Sequence, residues 1–152
     1  MKVEIVSVVP ASREAIWALV TDIPKAASCI PGLKDITPDG EVSYQATLQA
    51  SVGPMGMNLS GVITVLSQDA ESCDAHFLVE ANDRRVGGGV KTNISMKVTA
   101  KSPTETELEI VADTTFMGRL GELGQPLIRR KARNTLEEFS KNLSKLLALE
   151  SV

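Results

Sequence analysis

Apolar and polar residues alternate through most of the middle of the chain. Val42, Tyr44, Ala46, Leu48, Ala50 and Val52 are interleaved with Ser43, Gln45, Thr47, Gln49 and Ser51. After a Gly53-Pro54 turn, Met57, Leu59, Gly61, Ile63 and Val65 share one parity. Cys73, Ala75, Phe77, Val79 and Ala81 come next. Beyond Gly87-Gly88-Gly89 follow Val90, Thr92, Ile94, Met96 and Val98, and finally Leu108, Ile110, Ala112, Thr114 and Phe116. A period of two sends successive side chains to opposite faces, so these runs predict antiparallel strands of about ten residues with one covered and one wet face. The segments 69–72 and 101–106 are read as hairpin turns.

The two ends have other periods. Lys2 to Val9 is rich in Val and Ile and predicts a strand ending at Pro10. Ser12 is placed to cap a short helix carrying Ile16, Trp17, Leu19 and Val20. A second short helix is expected over 24–28, and Cys29-Ile30-Pro31-Gly32 closes it with a turn. At the far end Leu120, Leu123, Leu127, Ile128, Leu136, Phe139, Leu143 and Leu147 follow helical spacing. They predict a helix over 119–148, roughly 45 Å long at 1.5 Å per residue. Gly118, Gly121 and Gly124 weaken its start, and Pro126 removes a backbone donor. Either the helix kinks at Pro126 or 118–125 is a loop with Pro126 in the first turn; the spacing through Leu120, Leu123 and Leu127 favours the kink. The element order predicts an α+β fold in one domain over 1–152. A curved antiparallel sheet of about six to seven strands wraps a long C-terminal helix, with two short helices after the first strand.

Composition adds one unusual figure. Aromatic residues make up only 3% of the chain, namely Trp17, Tyr44, Phe77, Phe116 and Phe139. The expected inner face is also rich in small residues: Ala46, Ala50, Gly61, Ala75, Ala81, Thr92, Ala112 and Thr114. Interiors pack densely, so small residues under one covering helix mean either a ligand-sized cavity or a close approach of helix to sheet. If a cavity exists, its expected lining is Tyr44, Leu48, Met57, Leu59, Phe77, Met96 and Phe116 on the sheet. Leu120, Leu123 and Leu127 form a lid, and Trp17 either packs at the base or lines the pocket. Tyr44, Thr92 and Thr114 are the polar candidates. A tryptophan at Ala112 is expected to block such a cavity. Ile30, Pro31 and Gly32 on one side, and Gly118, Gly121 and Gly124 on the other, are candidates for its mouth.

Catalytic constellations are sparse. The sole histidine, His76, falls on the wet parity, and with Cys29 and Cys73 far apart no zinc site or Ser/Cys-His pair of ordinary spacing arises. The glycines at 87–89 lack the context of a phosphate loop and suit a bend in a long strand. The two cysteines read as buried thiols of a cytoplasmic protein. No apolar stretch reaches the roughly 18 residues of a membrane span, and the N-terminus lacks the apolar run of a secretory signal. With 43% hydrophobic residues and a net charge of −3, the chain is neither disordered nor suited to general nucleic-acid binding. One cationic cluster stands out, Arg129, Arg130, Lys131 and Arg133. It reads either as a contact for anionic lipid or an acidic partner, or as a solvated helix face with Glu137 and Glu138 nearby.

Taken together, Cys29-Ile30-Pro31-Gly32, the strand pair built on Val52-Gly53-Pro54 and Leu59-Ser60-Gly61-Val62-Ile63, and the ending Gly118-Arg119-Leu120-Gly121-Glu122-Leu123-Gly124 before a basic helix with Phe139 resemble the carbon monoxide dehydrogenase G-subunit family. That family belongs to the START-like (SRPBCC), helix-grip superfamily. The resemblance implies a non-catalytic accessory to a molybdenum-containing dehydrogenase, associated with the membrane and carrying a quinone or lipid in an apolar tunnel, with no covalent cofactor. Several members continue past the helix into a tail that reaches the membrane, whereas this sequence stops at Val152. The implied location is therefore cytoplasmic, with transient contact at the inner face of the membrane through Arg129, Arg130, Lys131 and Arg133. Two rival expectations are a START-like cyclase or hydratase acting on an aromatic or polyketide-like substrate through Tyr44 and Thr114, and a purely structural docking subunit with a filled core.

Overall fold

The alternating runs become strands because each buries one parity and wets the other. In the computed structural model of the chain, which describes residues 1–150, seven strands form one antiparallel sheet. They are β1 (Lys2–Val9), β2 (Leu33–Pro38), β3 (Ser43–Val52), β4 (Met55–Asp69), β5 (Asp74–Asp83), β6 (Gly88–Ser102) and β7 (Glu105–Gly118), in the spatial order β1-β7-β6-β5-β4-β3-β2. The helices α1 (Arg13–Thr21) and α2 (Ile23–Ala27) connect β1 to β2, and α3 (Gln125–Glu150) ends the chain. The sheet curves around α3, which is the expected helix-grip arrangement.

Pairing keeps the expected inner face in register. Ile36, Ala46, Gly61, Ala81, Val90 and Phe116 form one cross-strand row. Tyr44, Ile63, Val79, Thr92 and Thr114 form the next. At one end of the concave face α1 and α3 bury Ile5, Val9, Ile16, Leu19, Val98, Leu108, Ile110, Phe139 and Leu143 in a common core. At the other end Val52, Met57, Leu59, Leu120 and Ile128 make a separate cluster. A third, small cluster under α2 gathers Ile23, Ala75 and Phe77.

Local signals set the short helices. The Ser12 hydroxyl accepts from Ala15 N at 3.2 Å and caps α1, while the Asp22 carboxylate accepts from Lys25 N at 3.4 Å and caps α2. Three expectations need correction. Val42 lies before β3 and is exposed. The strands β4, β6 and β7 run to 15, 15 and 14 residues, longer than expected, and β6 takes in Gly88 and Gly89, where a Cβ at Gly88 would stand 2.7 Å from Leu120 Cγ. The kink at Pro126 is not formed. A 3-10 turn at Arg119–Glu122 precedes α3, and Pro126 occupies the first turn of α3, where its missing N–H costs nothing.

One buried carboxylate ties the frame together. Asp83 accepts hydrogen bonds from the backbone N–H groups of Asn58 (2.8 Å), Arg85 (2.9 Å) and Val86 (3.1 Å), fastening the β5–β6 hairpin to β4. These donors hold its carboxyl below the ordinary aspartate value of 3.8, the Asn58 bond contributing most. A depressed folded pKa gives stability that is present above the unfolded value and lost as pH falls through the folded one. Asp83→Asn is therefore expected to melt at a lower temperature at neutral pH, with the gap to the parent closing as pH falls below that ordinary value. Melting curves from about pH 7 to about pH 3 measure it.

Candidate functional site

Between the two ends of the concave face the sheet is not covered. The middle residues Ala46, Leu48, Ile63, Val79, Ala81, Val90, Thr92 and Ile94 remain only half-buried, whereas Ile5, Val98, Leu108 and Ile110 to one side are buried. Above this strip is a cavity of about 220 Å3, walled by β3 to β6 with Ile30 and Leu33 at its rim. Its floor is the row Ala46, Gly61 and Ala81, three positions with little or no side chain. Thr92 supplies the single polar side chain of its lining, and its hydroxyl lies 3.2 Å from that of Thr114. A smaller apolar space of about 70 Å3 adjoins it and shares Ile30, Ile63, Val79 and Ile94.

The candidate residues fall into distinct places. Leu48, Leu59, Thr92 and Ile30 line the main cavity, while Phe77 and Met96 line the smaller one with Phe139 of α3. Tyr44 and Trp17 pack at the α2 end against the cluster of Ile23, Ala75 and Phe77. Phe116, Leu123 and Leu127 pack with Leu120 in the cluster beyond the cavity. Ala112 lies buried between Val3 and Ile94, outside both spaces. A tryptophan there overpacks the sheet instead of filling the cavity. The 3-10 turn is anchored, with Leu120 at 0% exposure over Gly88. Gly118 takes φ +61, and a Cβ there would collide with Gly87 O. Gly121 packs against the Phe116 carbonyl and Gly124 faces open space.

Pro31, Gly32, Met57 and Lys131 line a more polar cleft of about 390 Å3 beside the cavity. Lys131 is half-buried, whereas Arg129, Arg130 and Arg133 are exposed and Arg129 donates to Lys2 O at 2.9 Å. The basic cluster thus divides between the cleft and the outside. Reading for bulky side chains misses the floor and much of the wall. Ala46, Ala81, Ile63, Val79, Val90 and Ile94 have the inward parity, and the accessible space lies above the smallest of them.

Apart from Thr92 the side chains lining the cavity are apolar. Among the described residues no group of three or more His, Cys, Asp and Glu side chains is placed to hold a metal ion. His76 is exposed, with Nδ1 3.0 Å from Ser95 Oγ. Both cysteines are buried and free, and burial pushes the Cys29 thiol up. No helix of the described residues is long and apolar enough to cross a membrane.

Comparison with known structures finds the same architecture. A conserved protein from Geobacillus kaustophilus superposes with a TM-score of 0.88 at 20% identity, over 97% of this chain and 95% of that one. A START superfamily protein from Mycobacterium smegmatis gives 0.77 at 15% identity, over 97% of each chain. The Zhui aromatase/cyclase from Streptomyces sp. R1128 gives 0.62 at 14% identity, over 99% of this chain and 92% of that one. No curated protein matches the chain in sequence. The sequence profile of one family does match, across residues 7–148, which take in nearly all of the sheet and of α3. The chain therefore belongs to the carbon monoxide dehydrogenase G-subunit (CoxG) family.

Proposed function

We propose that the protein is a non-catalytic carrier for a hydrophobic small molecule, quinone-like or lipid-like, held between the concave sheet and α3. The observation that carries this reading is the apolar mid-sheet strip left accessible above Ala46, Gly61 and Ala81. Covering apolar surface is worth about 25 cal/mol per Å2, so this strip favours an apolar occupant over water. Sites that enclose a whole drug-sized ligand run to about 300–1,000 Å3. A volume of about 220 Å3 takes a ring or a chain end and leaves the rest of the ligand to extend past the rim at Ile30 and Leu33.

Family membership supports the partner in this reading, a carbon monoxide dehydrogenase-type molybdenum oxidoreductase. The protein would work in the cytoplasm, meeting the inner face of the membrane transiently through the exposed Arg130 and Arg133. The test is native mass spectrometry of gently purified protein, followed by organic extraction, with melting curves in the presence of a short-chain ubiquinone and a long-chain alcohol. A released quinone or lipid, or a rise in melting temperature with either compound, is expected. No adduct together with an unmoved melting temperature overturns the carrier.

The fold shared with an aromatase/cyclase favours a second reading, turnover of an aromatic or polyketide-like substrate. Its polar resource in the cavity wall is the Thr92 hydroxyl, which pairs with that of Thr114 behind it. Turnover on a substrate panel that disappears in Thr92→Val would move the protein to that class.

A further inference from the structure

The one polar side chain of the main cavity stands where the two apolar spaces meet. Val79, opposite Thr92 on β5, and Ile94, the next inward residue on β6, line both of them. Successive inward residues of a strand are about 7 Å apart, two steps of about 3.3 Å, so Thr92 is one side-chain step from the smaller space. That space continues between Phe77, Met96 and Phe139. In the other direction is the floor of Ala46, Gly61 and Ala81. A ligand atom held at Thr92 therefore has apolar surroundings on both sides.

The hydroxyl pair decides which kind of atom that is. Thr92 and Thr114 each carry one hydrogen and two lone pairs, and their 3.2 Å contact uses one of the two hydrogens. Neither hydroxyl has another partner among the described residues. A ligand that only donates to Thr92 leaves one hydrogen unmatched, which costs about 1–3 kcal/mol for a donor cut off from water. A ligand oxygen that accepts from Thr92, while Thr114 donates to Thr92, satisfies both hydrogens, and two such bonds in line strengthen each other. No charged side chain lines either space, so a carboxylate or ammonium brought there would lack a counter-charge. The accepting oxygen is therefore an uncharged one.

We propose that the ligand carries an uncharged carbonyl with apolar groups on both sides, which accepts the Thr92 hydrogen where the two spaces meet, Thr114 donating in turn to Thr92. The proposal rests on the carrier reading, narrows its ligand and makes Thr92 the residue that selects it. The test uses dipentyl ketone and the hydrocarbon in which a methylene group replaces its carbonyl oxygen. Each is titrated into the full chain in the parent, in Thr92→Val and in Thr92→Ser. In the parent the infrared carbonyl band of the bound ketone is expected below its position in an alkane solvent, because a hydrogen bond weakens the C=O. Thr92→Val keeps the shape without the hydroxyl, and is expected to return the band to the alkane position. It should bind the ketone about tenfold less tightly, the weight of a carbonyl left unpaired, and the hydrocarbon no less tightly than the parent does. Thr92→Ser keeps the hydroxyl and is expected to keep the shifted band. A parent band at the alkane position, a shift that survives Thr92→Val, or an equal loss of ketone and hydrocarbon in that variant overturns the carbonyl and leaves the carrier standing. Failure of both compounds to bind the parent overturns both.

Discussion

Ala46→Trp is expected to weaken binding of a long-chain alcohol or short-chain quinone more than about tenfold while the protein stays folded. Ala46 belongs to the cavity floor and is paired with Gly61, which offers no side chain to collide with the new ring. The indole therefore extends over Gly61 into the space that the ligand would use. Overpacking costs about 1–3 kcal/mol, which a domain of this length tolerates. Binding of a long-chain alcohol or short-chain quinone is expected to fall more than about tenfold, since the apolar strip is then covered by the protein itself. Ala112→Trp is the control. It burdens a buried row between Val3 and Ile94, so it lowers the melting temperature without occupying the cavity. Undiminished binding by a folded Ala46→Trp variant would place the ligand elsewhere.

Gly61→Ala has the largest expected effect on stability. A Cβ at Gly61 would collide with Glu80 O and lie 2.6 Å from Ala81 Cα, and both are backbone atoms that no rotamer change can move. β4 and β5 would have to separate in the middle of the sheet. A loss above about 3 kcal/mol is expected, the range of severe steric conflict in a core. In a chain of this size that lowers the melting temperature by about 10 °C. Calorimetry of the purified variant measures it, and an unchanged melting point would contradict the close approach of the two strands.

Much of the fold is legible because a sheet with one wet face writes its parity into the sequence. Rows such as Tyr44, Ile63, Val79, Thr92 and Thr114 follow directly from the alternation once the strands are paired. β2 is not, for a physical reason. Its register shifts between Leu33 and Asp35, so its inward residues Leu33 and Ile36 are three apart and the alternation is broken. Pro38 ends it, which an edge strand tolerates. The start of α3 is easily misread because a 3-10 turn also repeats every three residues, so Leu120 and Leu123 imitate a helical stripe. The cavity is harder still. Parity shows which residues face inward, but which rows the helices cover depends on where α1 and α3 lie across the sheet. That placement leaves Ala46 and Ala81 accessible and covers Ala112.

The spatial order of the strands has a consequence for how the chain folds. β1 lies at the sheet edge against β7, with Lys2 opposite Asp113 and Val9 opposite Thr106. During synthesis the first strand to emerge has no partner until nearly the whole sheet has been made. Its pairing closes a loop of about a hundred residues, and such sequence-distant contacts slow folding towards milliseconds to seconds. Until then Val3, Ile5 and Val9, which end up buried, stand open to water, and β7 keeps an unpaired edge. Aggregation during production should therefore respond to changes in the first nine residues, far from any ligand, and binding variants are best compared after refolding yields have been matched.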